Sequence, residues 1–168
     1  MKSFLKNYTS DVPVSQTVYR IEQLLIRCGV SGISKEYHQN ISGKIVALIF
    51  SIKLDLGKEW KIRVPVDEEK ALQCLWLNYA AGERMNASGS EILYGGRKKK
   101  KRADFREQAE RTACKIMQDW IEVQLSMIQM QQADFQQVFL PYVWDGTQTV
   151  YDRIKSGGYR ALLPETTS

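Results

Sequence analysis

The chain has 168 residues, 43% of them hydrophobic and 26% charged, the balance of a folded, globular protein rather than a disordered one. Its net charge is +5, but six cations form one run, Arg97, Lys98, Lys99, Lys100, Lys101 and Arg102, and taking six from +5 leaves −1 for the rest. Basicity this local favours a defined anionic contact over a generally sticky surface.

A chain of this length buries an ordinary core, so neither disulfides nor metals are needed to hold it together. The pattern reads as a single domain overall with three parts. Residues 1–81 form an α-β-β-β-α core, 82–103 a Gly/Ser-rich and basic loop, and 104–168 a long helix and a C-terminal helical region packed on the core. In chain order, Ser15 is the expected cap of a first helix. Val18, Ile21, Leu24, Leu25 and Cys28 recur through it at helical spacing, and Gly29 ends it. A first strand over 30–37 contains Gly32, which predicts an early bulge or twist. The stretch 44–54 is the clearest strand, rich in Ile, Val, Leu and Phe. Asp55, Leu56, Gly57 and Lys58 make a hairpin turn. Trp60, Ile62 and Val64 then alternate with Lys61 and Arg63, giving a third strand one apolar and one basic face, which Pro65 stops.

Asp67 is placed to cap a second helix over about 67–80, with Ala71, Leu72, Leu75, Trp76 and Tyr79 on one side. Glycines then punctuate a segment with few apolar residues, and Ile92, Leu93 and Tyr94 read as its anchor or as a short edge strand. A long amphipathic helix is predicted from Asp104 to about Gln131. Asp134 caps a short helix ending near Pro141, and a last one lies around 147–155. The fold class is therefore α+β: helix, three-stranded antiparallel sheet, helix, then a long amphipathic helix and short C-terminal helices.

The basic run carries the functional reading. Consecutive Lys and Arg neutralise successive phosphates and give salt-dependent, largely sequence-independent affinity. The Gly95-Gly96 pair before it lets backbone approach closely, and the helix after it brings a partial positive charge. The alternatives are a solvated loop and an address signal. Lys61 and Arg63, on the exposed sheet face, form a secondary basic platform, while Trp60 reads as core. Catalysis is not expected. His38, the only histidine, falls in a turn, and Asp119 and Glu122 read as part of a solvated charged face. Gly95 and Gly96 lack the spacing of a phosphate cradle. Cys28, Cys74 and Cys114 are odd in number and lack metal-ligand spacing, so they read as buried free thiols in a reducing compartment. No cofactor or metal is expected. The opening residues 1–7 lack the apolar core of a secretory signal, and no apolar run is long enough to span a membrane. A cytoplasmic protein is expected.

The segment Gln108-Ala109-Glu110-Arg111-Thr112-Ala113-Cys114-Lys115-Ile116-Met117-Gln118-Asp119-Trp120-Ile121-Glu122, with Val138-Phe139-Leu140-Pro141-Tyr142 after it, resembles a family of uncharacterised phage and prophage proteins of similar length. That resemblance implies a small protein of phage or mobile-element origin and brings no catalytic residues. The order helix, three strands, helix, with lysines ahead of a helix, is also similar to double-stranded-RNA-binding domains, in which a Lys cluster at a helix start grips phosphates. Lys98, Lys99, Lys100 and Lys101 match that cluster, but an extra helix and a long loop precede it here. Fold analogy of this kind does not fix function. The expectation is a non-enzymatic nucleic-acid-binding protein of phage or mobile-element DNA metabolism, with DNA favoured over RNA and single-stranded DNA as one candidate form. It would form a homo-oligomer through the long helix around Trp120 to Met130. The rivals are a phage-encoded inhibitor or adaptor that grips a host protein through the long helix, and a double-stranded-RNA binder.

Overall fold

In the computed structural model, residues 5–53, 57–87 and 100–158 are described, with the backbone alone for 82–87. Pro13 sets the start of the first helix, α1 (Val14–Arg27). Its carbonyl accepts the Thr17 N–H at 3.1 Å. A cap residue is the one whose carbonyl takes the first intrahelical bond, so that role falls to Pro13. Ser15, the expected cap, instead lies inside the first turn. At the other end Gly29, with φ +78°, does what the sequence predicts. The Val30 N–H donates to Leu25 O at 3.4 Å and the Gly29 N–H to Ile26 O at 3.0 Å. These are the two bonds of a Schellman motif, which satisfies the last carbonyls of the helix.

Three antiparallel strands follow, β1 (Gly32–Tyr37), β2 (Ile45–Lys53) and β3 (Glu59–Pro65), in the spatial order β1-β2-β3. The expected irregularity near Gly32 lies instead at the far end of β1. Glu36 pairs with Ala47 but Tyr37 pairs with Ile45, so Val46 is the extra residue of a bulge. Beyond it the His38 N–H closes the turn on Lys44 O at 2.8 Å. In β3 the predicted alternation is present: Ile62 and Val64 are buried, while Lys61 is exposed.

Asp67 caps the next helix, α2 (Glu68–Ala87), its Oδ1 accepting the Lys70 N–H at 3.0 Å. The α2 helix continues through Gly82, where a loop is expected. One Gly costs a helix only about 1 kcal/mol, and Ala80, Ala81, Glu83, Arg84 and Met85 around it all favour helix. A 3₁₀ turn, Arg102–Phe105, leads into the long helix α3 (Arg106–Gln129). The described residues close with α4 (Phe135–Phe139), a 3₁₀ turn at Leu140–Tyr142 and α5 (Val150–Gly157). Asp134 stands at the cap of α4, where its N–H donates to Gln137 Oε1 at 3.4 Å. Thr149 caps α5 by accepting the Asp152 N–H at 3.1 Å.

The α3 helix also closes in a Schellman motif, with Gln132 N–H to Met127 O and Gln131 N–H to Ile128 O, both 3.0 Å. Here the left-handed residue is Gln131, at φ +59°. An L-residue pays about 1–2 kcal/mol for that conformation, and glycine's greater freedom in the unfolded chain takes back part of the relief. Gln131→Gly is therefore expected to stabilise the protein by about 0.5–1 kcal/mol in urea denaturation; an unchanged or lowered midpoint would contradict this.

The chain gathers into two compact units, residues 1–22 with 66–121, and residues 23–65 with 122–168. In the first, Val18, Ile21, Leu72, Leu75, Ala109, Cys114 and Met117 are buried. In the second the buried residues include Ala47, Leu48 and Phe50 of β2, Ile62 and Val64 of β3, and Phe139. A strap at residues 143–144 lies along the outer edge of β3 in this unit. Val143 bridges Ile62, and the Trp144 N–H donates to Lys61 O at 2.8 Å. An edge strand is thereby covered, as edges of stable sheets generally are.

Candidate functional site

The described part of the basic run is Lys100, Lys101 and Arg102, all three exposed. Arg97, Lys98 and Lys99 lie outside the described residues, as does the proposed anchor Ile92, Leu93 and Tyr94. The first of these, Lys100, is held by a group of aromatic rings. Trp76 and Tyr79, one turn apart on α2, stack at 5.8 Å between centroids. Phe105, the last residue of the 3₁₀ turn, meets Tyr79 at 5.3 Å and Trp76 at 6.3 Å. All three rings are half-buried.

Each cation has its own tie to this cluster or beside it. The Lys100 N–H donates to the Tyr79 hydroxyl at 3.2 Å, and the Lys100 Nζ stands 5.4 Å from the centre of the Phe105 ring, within cation–π range. The Lys101 N–H donates to Asp104 Oδ2 at 2.7 Å. Arg102 pairs with Glu69 on α2. The Lys100 and Lys101 ammonium groups have no carboxylate partner among the described residues, so their charge is open to an external anion. Glu69 and Asp104 temper the field without cancelling it.

The secondary platform is different. The register pairs Arg63 with Ile49 and Lys61 with Ser51, so these two cations share a sheet face, and Trp60 lies on the opposite face with Ile62 and Val64. Arg63 is neutralised across the sheet by Glu36, Nε to Oε2 at 2.7 Å. Lys61 is exposed, as is Lys53 on the same face, but with Arg63 neutralised this face is a weaker platform than the run. The two basic groups belong to different units of the chain.

Residues that sequence reasoning treats as a solvated face have another task. Asp119 accepts from Lys115 and Lys6, both at 2.8 Å, and from Asn7 Nδ2 at 3.0 Å. Thr112 Oγ1 and Gln108 Nε2 donate to the backbone carbonyls of Asn7 and Ser10. Together they fasten the leading segment along α3. Burial alone would raise the Asp119 pKa, but the hydrogen bonds from Lys115, Lys6 and Asn7 outweigh it and hold the carboxyl well below its usual range. No sequence signal marks this clamp beyond the i,i+4 spacing of Lys115 and Asp119. Glu122, its neighbour in the sequence reading, is exposed.

The cysteines differ from one another. Only Cys114 is buried, with Cys28 exposed and Cys74 half-buried. Burial, reinforced by Glu110 and Glu68, pushes the Cys114 thiol up to about 12, so it stays protonated and inert. His38 serves its turn, its Nδ1 accepting the Asn40 N–H at 3.1 Å. Among the described residues no three His, Cys, Asp or Glu side chains gather as a metal site, and no helix is long and apolar enough to cross a membrane.

The fold is α+β, and among the described residues three exposed cations, Lys100, Lys101 and Arg102, lie beside the half-buried rings. Comparison with family models, with curated proteins and with solved structures finds no match to this chain.

Proposed function

We propose that this chain is a non-enzymatic nucleic-acid-binding protein, with DNA favoured over RNA, whose run Arg97, Lys98, Lys99, Lys100, Lys101 and Arg102 contacts phosphates. The carrying observation is that Lys100 and Lys101 are exposed at the entry to α3, with no carboxylate on either ammonium among the described residues, while their stretch of chain is anchored on Tyr79 and Phe105. Holding cations in place before the ligand arrives lowers the ordering cost of binding. Their lack of built-in base selectivity fits phosphate contact rather than sequence readout. Lys61 is at most an auxiliary contact. The resemblance to phage and prophage proteins adds a role in mobile-element DNA metabolism.

The test is fluorescence anisotropy with labelled single-stranded DNA, duplex DNA and duplex RNA across a salt series, beside a variant with Lys98, Lys99, Lys100 and Lys101 changed to Ala. The native protein is expected to show affinity that falls linearly on a log–log plot against salt. Loss of four phosphate contacts should flatten that slope by about 3 to 4. Absence of native binding at low salt would reject the reading. A second reading, an inhibitor or adaptor that grips a host protein through the long helix, is favoured by the exposure of Val123 on α3 and of Met130 just beyond it. It predicts no salt-dependent nucleic-acid affinity, so the same titration separates the two.

A further inference from the structure

We infer that Trp76, Tyr79 and Phe105 form a base-stacking platform beside Lys100 and Lys101, so that the site takes unpaired nucleic-acid strands in preference to duplexes. This rests on the nucleic-acid reading of the same residues and gives it a ligand class.

Rings that serve only to fill a core are drawn inside. Here all three remain half-buried, at the point where the exposed cations of the run enter the 3₁₀ turn. Leu72 and Leu75, on the same helix, are by contrast buried. The rings meet one another at angles of 32°, 65° and 50° between their planes. Tyr79 is further held by the Lys100 N–H on its hydroxyl. Rigid aromatic surface with ammonium groups alongside is the combination that binds single strands, the bases stacking on rings while the backbone tracks the cations. In a duplex the base faces are already stacked on one another, and such a platform gains nothing from them. Every base has a π-face, so the preference is for unpaired strands and not for a sequence.

The Lys100 ammonium over Phe105 fits the same arrangement. It lies 5.4 Å from the ring centre and is exposed, so a phosphate can reach it when a base arrives. Exchanging that cation–π contact for a charge-assisted phosphate contact keeps the lysine partnered in both states.

The test separates stacking from charge by comparing strands with equal phosphates. Anisotropy is measured at one low salt concentration with a labelled oligo-dT, an abasic strand of the same length and charge, and a duplex. Single-strand binding is expected to be tighter than abasic binding by about tenfold or more, the range of one stacked base. Tyr79→Leu and Phe105→Leu, which keep apolar volume but remove the π-face, should bring the ratio of oligo-dT to abasic affinity toward one, while the abasic affinity itself falls because each variant also loses a tie to Lys100. Circular dichroism melts confirm that each variant is folded. Equal affinity of the native protein for oligo-dT and abasic strands would overturn the platform while leaving the phosphate contact standing. No binding to any of the three would instead reject the nucleic-acid reading beneath it.

Discussion

Phe139→Ala is expected to destabilise the protein by about 3–5 kcal/mol, the range for emptying a large aromatic site in a core. Phe139 is 0% exposed. Its ring meets Phe50 edge-on, at 5.6 Å and 89°, and lies against Phe135 at 4.6 Å. Phe50 sits on the central strand between Ile33 of β1 and Ile62 of β3. The cavity would therefore open against the middle of the sheet, where the backbone is least able to collapse into it. The chain just after Phe139 is also the strap that bridges Ile62 and donates to Lys61 O. Its release would leave the β3 edge uncovered. Chemical denaturation of Phe139→Ala beside Phe139→Leu checks this, with Leu expected to recover roughly half the loss. Faster hydrogen exchange at the Trp144 amide should accompany the Ala variant. A loss below about 1 kcal/mol would show that α4 contributes little to this unit, and a loss in the expected range is a large share of a typical total of about 5–15 kcal/mol.

The sequence legibly marks elements whose cause is local. The alternation of Trp60, Ile62 and Val64, the cap at Asp67 and the glycine at position 29 each rest on residues within a few positions of one another, and each is present. Where two local signals compete, the weaker one misleads. Ser15 is a good capping side chain, but the carbonyl of Pro13 claims the first helical bond, and Gly82 is a poor helix residue in a run of good ones. The candidate site is half legible for the same reason. The run of cations is plain in the sequence, and so is the i,i+3 spacing of Trp76 and Tyr79. That Phe105 folds back onto both rings is a tertiary fact, and no periodicity announces it. The strap at Val143 and Trp144 is invisible for a related reason, since its hydrogen bonds go to a strand some 80 residues earlier. The pairing that neutralises Arg63 likewise depends on register, which places Glu36 two strands away on its own face.

Removing the Asp119 charge is expected to cost about 2–3 kcal/mol at neutral pH, and that cost is expected to fade in acid. The carboxylate holds Lys115, Lys6 and Asn7 at once, and its side chain is only 18% exposed. Hydrogen bonds to a charged group contribute about 1.5–3 kcal/mol each when sheltered, while the Lys6 arm, itself 69% exposed, adds little. The folded carboxyl releases its proton more readily than the unfolded one, whose pKa is near the ordinary 3.8. The unfolded state thus binds more protons through this window. The stabilisation is fully present above about pH 5 and declines as the pH falls through 3.8 toward the depressed folded value. Asp145 and Asp152 also carry lowered pKa values, so the native protein's acid sensitivity has several sources. The difference between native protein and Asp119→Asn cancels those other groups, because both chains keep them. Denaturation of the pair at pH 7 and at pH 3 should therefore show a gap that narrows in acid, and a gap independent of pH would remove the charge from the account. Pairing Asp119→Asn with Lys6→Ala in a double-mutant cycle then isolates the tie to the leading segment. A coupling near zero would leave Lys115 as the partner that matters, and the hydrogen bonds of Thr112 and Gln108 as what fastens residues 7–10 to α3.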